Sequence, residues 1–184
     1  MYREHLAVFS KLGAIEDGIL EAGERLCETI RRGGEILVCG NGGSAADAQH
    51  FAAEPVGRFR REREAWPAIA LTADTSIITA IGNDYDFNGV FARQVEGLAK
   101  QGDVLIGIST SGRSENVLRA VECARSKGVG TISLPGGDGG FIRSAADLSL
   151  AVPSTVTAHI QEAHIFILHA WCAMVETGIM NRFK

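Results

Sequence analysis

Five short apolar runs, each set apart by stretches of helical spacing, decide what this chain can fold into. The runs are Glu35–Cys39, Ala68–Leu71, Asp103–Ile108, Gly130–Leu134 and Leu148–Val152. Helical patterns lie between most of them, at about Ala45–Arg58, Thr75–Ile81, Phe87–Lys100, Ser114–Lys127 and Gly140–Ala145. Strands that alternate with helices imply βαβ units and a mostly parallel sheet. The pattern therefore predicts an α/β fold, a three-layer sandwich with a five-stranded parallel sheet flanked by helices. Ahead of it, residues 3–31 read as one long helix or two, with Leu6, Phe9, Ile15, Ile19, Leu26 and Ile30 near helical spacing, until Gly33-Gly34 breaks the pattern. The 184 residues contain no internal linker, repeat or low-complexity tract, so residues 1–184 are read as a single domain with an N-terminal helical extension over about residues 1–32.

The last helical stretch, about Thr157–Thr177, is apolar nearly all round, with Ile160, Ala163, Ile165, Phe166, Ile167, Leu168, Trp171 and Met174 among its residues. A helix with no clean polar face is usually buried. In so small a chain that predicts burial against another subunit, a homo-oligomer packed through its first and last helices. No apolar run is read as approaching the roughly 20 residues of a membrane span, so no membrane partner is expected. A net charge of −4 argues against a general nucleic-acid surface. It leaves room for a small anion held on backbone N–H groups. Cys27, Cys39, Cys123 and Cys172 are widely spaced and form no CxxC motif, so buried reduced thiols are expected. The opening MYREHLAVF lacks a signal-peptide pattern, and the cytoplasm is the expected compartment.

Two strand–loop–helix turns carry the chemistry. The first, Gly40-Asn41-Gly42-Gly43-Ser44-Ala45, fits the dinucleotide fingerprint G-x-G-x-x-A. That fingerprint also wants an acidic residue at the end of the second strand. Glu62 and Glu64 stand instead in a charged loop before it, which weakens the dinucleotide reading. What remains is a turn of small residues that lets a ligand approach the backbone at a helix start. In the second turn, the run Asp103–Ile108 leads into Ser109-Thr110-Ser111-Gly112-Arg113-Ser114. Four hydroxyls and free N–H groups at one helix start suit a phosphate monoester, although Ser114 also has the makings of a simple N-cap. Neither loop contains the Walker G-K-[ST], so a small phosphorylated molecule is preferred over a nucleoside triphosphate.

His50 and Glu54, four residues apart, lie about 40° from each other on one helix face. Gln161, Glu162, His164 and His169 share the last helix, with Gln161 and His169 about 80° apart around its axis. Two histidines, a glutamate and a glutamine carbonyl could bind zinc, although glutamine is an uncommon ligand. The same set suits enediol chemistry, in which a carboxylate takes a proton beside a carbonyl and a histidine or metal stabilises the oxygen.

At this point the residues resemble a known family. The run from Gly40 to Glu54 with Gly57-Arg58-Phe59, then Thr79-Ala80-Ile81-Gly82-Asn83-Asp84, then Gly102 to Leu105 with Ser109-Thr110-Ser111-Gly112, and finally Ile160-Gln161-Glu162 with His164 and His169, are similar to the signatures of phosphoheptose isomerases of the SIS domain family. The resemblance covers about Gly33 to Val175 and implies the flavodoxin-like SIS fold. It implies conversion of D-sedoheptulose 7-phosphate to D-glycero-D-manno-heptose 7-phosphate, the entry to bacterial heptose for cell-surface glycans, in a homotetramer with active sites between subunits. By matching position, Glu54 is the implied general base and His169 the acid or polarising partner. One zinc ion per subunit is implied at His50, Glu54, Gln161 and His169, which favours His169 over His164. Ser44, Ser109, Thr110, Ser111 and Ser114 are implied phosphate contacts, with Asn41 and Asp84 on the sugar, and Gly42, Gly43 and Gln161 are implied substrate- or phosphate-binding residues as well. Pro55 and His159 depart from the family pattern. Two alternatives stay open: a non-catalytic family member that binds the replication initiator, and an isomerase of another phosphosugar.

Overall fold

A computed structural model describes residues 1–180. The chain opens with α1 (Tyr2–Phe9), a turn of 3-10 helix at Leu12–Ile15 and α2 (Glu16–Arg31), so the N-terminal helical stretch is two helices. It continues through β1 (Ile36–Gly40), α3 (Gly43–Val56), β2 (Ala68–Ala70), α4 (Thr75–Asp84), α5 (Ala92–Leu98), β3 (Val104–Ser109), α6 (Glu115–Ser126), β4 (Gly130–Pro135), α7 (Ile142–Ala145), β5 (Leu148–Ser149) and α8 (Thr157–Met180). All five predicted runs are strands. Most element ends shift by one or two residues, and two predicted elements differ more. The stretch Phe87–Lys100 divides into a 3-10 turn at Phe87–Gly89 and α5, and β5 is two residues long, followed by a lone bridge from Val152 to Gly136.

The sheet runs in the order β2-β1-β3-β4-β5, with every pairing parallel. Successive strand residues face opposite sides. Ile36 and Val38 enter one core with Val104, Ile106, Ile132 and Leu134, packed under α2, α3 and α8. Leu37, Cys39 and Leu105 enter the other, under α5 and α6. Helices thus cover both faces, which is why β1 is apolar without alternation. The order reverses direction between β1 and β3, and in open α/β sheets ligands bind at the carboxyl ends of the strands beside such a reversal. The loops that leave β1 and β3 there are the two small-residue turns singled out above.

Helix α8 closes the first core. Trp171 is fully buried, and its Nε1–H donates to the Ile19 carbonyl at 2.9 Å, tying α8 to α2. Truncating a buried tryptophan of this kind costs about 3–5 kcal/mol. Contrary to the expectation of no membrane-length run, the 24 residues of α8 are long and apolar enough to cross a membrane by length and composition, but its inner face packs into the protein core. Its outer face leaves Phe166 exposed beside Leu20 of α2, and Leu6 of α1 is exposed as well. All four cysteines are free, and burial pushes the Cys39 and Cys172 thiols up to about 12.

Candidate active site

Helix α3 begins at the first small-residue turn and presents His50 and Glu54 on one face, with His50 Nε2 3.7 Å from Glu54 Oε1. Helix α8 crosses α3 and brings His169 to the same place. His50 Nε2 and His169 Nε2 are 2.8 Å apart, a distance at which one imidazole N–H donates to the other's lone pair. Their rings meet edge to face, 5.1 Å between centroids. Gln161 lies two turns earlier on α8, and its side-chain amide presses against Gly43. A β-carbon at position 43 would overlap that amide, so the glycine is what lets α8 approach the turn.

The other histidine and acid of α8 point elsewhere. His164 is fully buried, with Nε2 3.4 Å from the Pro135 carbonyl, and burial pushes its pKa down to about 4. Glu162 pairs with His5 of α1 at 2.6 Å. His159 is buried in the first turn of α8. Pro55 stands inside α3, one residue before its end at Val56, and its carbonyl accepts from the Trp66 N–H at 3.0 Å.

The second turn assembles its hydroxyls. Ser109 Oγ lies 2.9 Å from Ser114 Oγ and 3.5 Å from Ser111 Oγ. Ser114 occupies the N-cap position of α6, yet its hydroxyl caps no N–H and turns to Ser109 instead, so the simple capping role is corrected. Ser111 Oγ accepts from the Arg113 N–H at 3.1 Å, which leaves its own proton to donate. Gly112 has φ +64°, and a β-carbon there would strike the Gly139 backbone, so the turn closes on the loop after β4. Thr110, Ser111, Arg113, Asp138, Ser154 and Ile160 line a cavity beside it, and Ile160 adjoins Gln161 in sequence.

The two turns are joined by a feature the sequence did not reveal. Asn41 and Asn116 exchange a reciprocal pair of amide hydrogen bonds, 2.8 and 2.9 Å, across the end of the sheet. Ser44 is buried at the start of α3, beside Gly42 and Gly43. Asp84 stands apart from this group, exposed at the end of α4, where its carboxylate accepts from Asn83 at 2.8 Å.

Comparison with known proteins identifies the family and the fold. Residues 2–136 match the family model described as SIS domain. The chain is 54% identical over 182 residues to the phosphoheptose isomerase of Trichlorobacter lovleyi, a match that covers 98% of this chain and 93% of that one. It superposes on the solved phosphoheptose isomerase of Neisseria gonorrhoeae with a TM-score of 0.91 at 44% identity, covering 96% of this chain and 95% of that one. The Francisella tularensis structure gives 0.92 at 40% identity, covering 95% and 93%. The chain belongs to the phosphoheptose isomerase family of SIS domain proteins.

The family motif Gly57-Arg58-Phe59 gains a physical role here. Phe59 stacks on the His169 imidazole, 5.6 Å between centroids with 25° between ring planes. As to zinc, the donor types fit: His50 has the His169 imidazole at 2.8 Å and the Glu54 carboxylate at 3.7 Å, and the Gln161 amide lies against Gly43 at the start of the same helix α3. The histidine nitrogens stand closer than the roughly 3.3 Å expected for two imidazoles on one tetrahedral zinc. Among the described residues, no group of three His, Cys, Asp or Glu is already set at metal-binding spacing.

Proposed function

We propose that the chain interconverts D-sedoheptulose 7-phosphate and D-glycero-D-manno-heptose 7-phosphate through an enediol(ate), at the entry to heptose biosynthesis. One observation carries the reading: His169, 119 residues from His50, comes within hydrogen-bond distance of it beside Glu54. The acid–base group stands on the helix that opens at the first small-residue turn, in a chain 54% identical to a phosphoheptose isomerase.

The Glu54 carboxylate takes the C1 proton of the ketose. The electron pair left behind forms the C1–C2 double bond, and the C2 carbonyl oxygen gains a proton from His169. The reverse flow then completes the exchange: O1 gives up its proton, C1 becomes the carbonyl, and C2 receives a proton. No oxidant or reductant is consumed. The hydroxyls of Ser109, Thr110, Ser111 and Ser114 and the small turn Gly42-Gly43-Ser44 hold the phosphate. That anchoring fixes the reacting carbons against Glu54. Asn41, Gln161 and Asp84 are the proposed sugar contacts, Asp84 reaching the site from a neighbouring subunit.

His50, Glu54, Gln161 and His169 would hold one zinc ion per subunit. When bound, the ion would polarise substrate oxygens as a Lewis acid. A Glu54 engaged as a ligand is a weaker base, so the two roles compete for one carboxylate. Metal analysis of the purified protein tests occupancy; about one zinc per chain is expected, lost together in variants of His50 and His169.

A homotetramer with sites between subunits is proposed on the exposed apolar surface. Phe9, Leu20, Phe166 and Met174 line a groove between the first helices and α8, and α4 has no buried residue of its own. Light scattering at micromolar concentration should give four times the chain mass; a monomer would count against it. The four free cysteines support a cytoplasmic location, because reducing compartments keep thiols unpaired. The reaction itself is tested by incubating the protein with sedoheptulose 7-phosphate and following aldose resonances by NMR; an unchanged ketose would refute the reading.

A further inference from the structure

The segment after α3 is fixed by a buried pair of opposite charges that touches both halves of the proposed site. Glu176 lies on α8 two turns beyond His169 and is 3% exposed. Its carboxylate accepts from three consecutive backbone N–H groups: Phe59 at 3.1 Å, Arg60 at 3.1 and 3.2 Å, and Arg61 at 3.2 and 3.3 Å. Successive N–H groups converging on one anion hold a loop in a single shape. The shape held here puts the Phe59 ring on the His169 imidazole.

Arg63 grips the other side. Its side chain is 4% exposed and donates to the last carbonyls of α3, Glu54 at 2.7 Å and Pro55 at 2.6 Å, and to Gly57 and Glu64 beyond them. Carbonyls at a helix end lack partners within the helix; Arg63 supplies one to Glu54 and shares Pro55 with the Trp66 N–H. The guanidinium lies over the Trp66 ring at 4.0 Å, and its Nε faces Glu176 at 3.7 Å without a hydrogen bond. One ion pair thus links the backbone of Glu54 to the helix of His169. Buried ion pairs give little net stability against an apolar replacement, so fixing a geometry is the more economical account of this one.

We infer that Glu176, Arg63 and Phe59 are positioning residues that set the His169 imidazole against the Glu54 carboxylate. The inference rests on the function proposed above, and its test separates the two. Glu176→Gln, Phe59→Leu and Phe59→Tyr are compared with the unaltered protein well below its melting temperature. The readouts are kcat, KM for sedoheptulose 7-phosphate, and the imidazole NMR signals of His169. Glu176→Gln and Phe59→Leu should lower kcat by about 10- to 100-fold, the scale of a misplacement near 1 Å. KM should stay within about twofold, because the hydroxyl-lined turn is untouched. The His169 signals should move in both variants and return with Phe59→Tyr, which keeps a stacking ring.

Wild-type kcat with unmoved His169 signals in Phe59→Leu would overturn the inference. So would a kcat loss that merely follows the folded fraction, or a rise in KM with kcat intact. If the unaltered protein turned over no sedoheptulose 7-phosphate while the signals still moved and returned as stated, the positioning would stand and the proposed reaction would fall. Should Glu176→Gln not fold, the two Phe59 variants decide the matter.

Discussion

Acid should destabilise this protein through His164, by an amount that its burial sets. The residue is fully buried on α8, and among the described residues its Nδ1 has no hydrogen-bond partner. Charging it would place a cation where no anion faces it, and burial accordingly pushes its pKa from 6.5 down to about 4. The unfolded chain therefore takes the proton first. The histidine's contribution is fully present above pH 6.5, declines as pH falls, and is lost once pH passes below about 4. At about 1.36 kcal/mol per pH unit, that interval corresponds to roughly 3 kcal/mol of lost stability. His164→Gln removes the titration and keeps a donor for the Pro135 carbonyl. Urea unfolding of both proteins, followed by tryptophan fluorescence at one protein concentration, gives the comparison at pH 7.5 and pH 4.5. With a urea slope of about 1–3 kcal/mol per molar, the wild-type midpoint should fall by about 1 M more than that of His164→Gln. All other titrating groups are common to both proteins and cancel. Midpoints that fall in parallel would refute the reasoning and show that His164 takes a proton without cost.

Ser111→Ala should raise KM by about 10- to 100-fold with kcat little changed, since a hydrogen bond to a charged group is worth about 1.5–3 kcal/mol; an unchanged KM from initial rates would move the phosphate elsewhere. Gly112→Ala should cost at least about 1–2 kcal/mol for the left-handed backbone alone, with more from the collision with Gly139. A melting temperature within a degree of wild type in calorimetry would contradict that. Asn116→Leu should loosen the two turns together and weaken substrate binding, because Asn41 loses both amide bonds; titration calorimetry with inorganic phosphate checks it, and equal affinity would count against the coupling.

The sheet was legible because its signal is local. Each strand is a short apolar run ended by glycine or polar residues, and the alternation with helices leaves few parallel topologies. The division at residues 10–15 was not legible, because Leu12 and Ile15 continue the apolar spacing through the 3-10 turn. Within α8 helical spacing alone does not separate His164 from His169; the family resemblance is what favours His169. The helix is apolar almost all round, so no polar stripe marks which face meets α3, and only the packing turns His164 toward Pro135. The reciprocal pair of Asn41 and Asn116 spans 75 residues, and the bonds from Glu176 to the loop at 59–61 span 115 or more. Neither has a spacing rule to betray it. Ser114 shows the opposite case, a residue with an ordinary local explanation whose hydroxyl the fold directs to Ser109.

In the proposed mechanism an imidazole from α8 and a carboxylate from α3 act on one substrate carbon pair. That joint action is tested most directly by following sedoheptulose 7-phosphate by NMR with the unaltered protein, Glu54→Gln and His169→Gln, each first shown by light scattering to keep the same assembly. Conversion by the first and none by either variant is the predicted result. Wild-type turnover in either variant would contradict it.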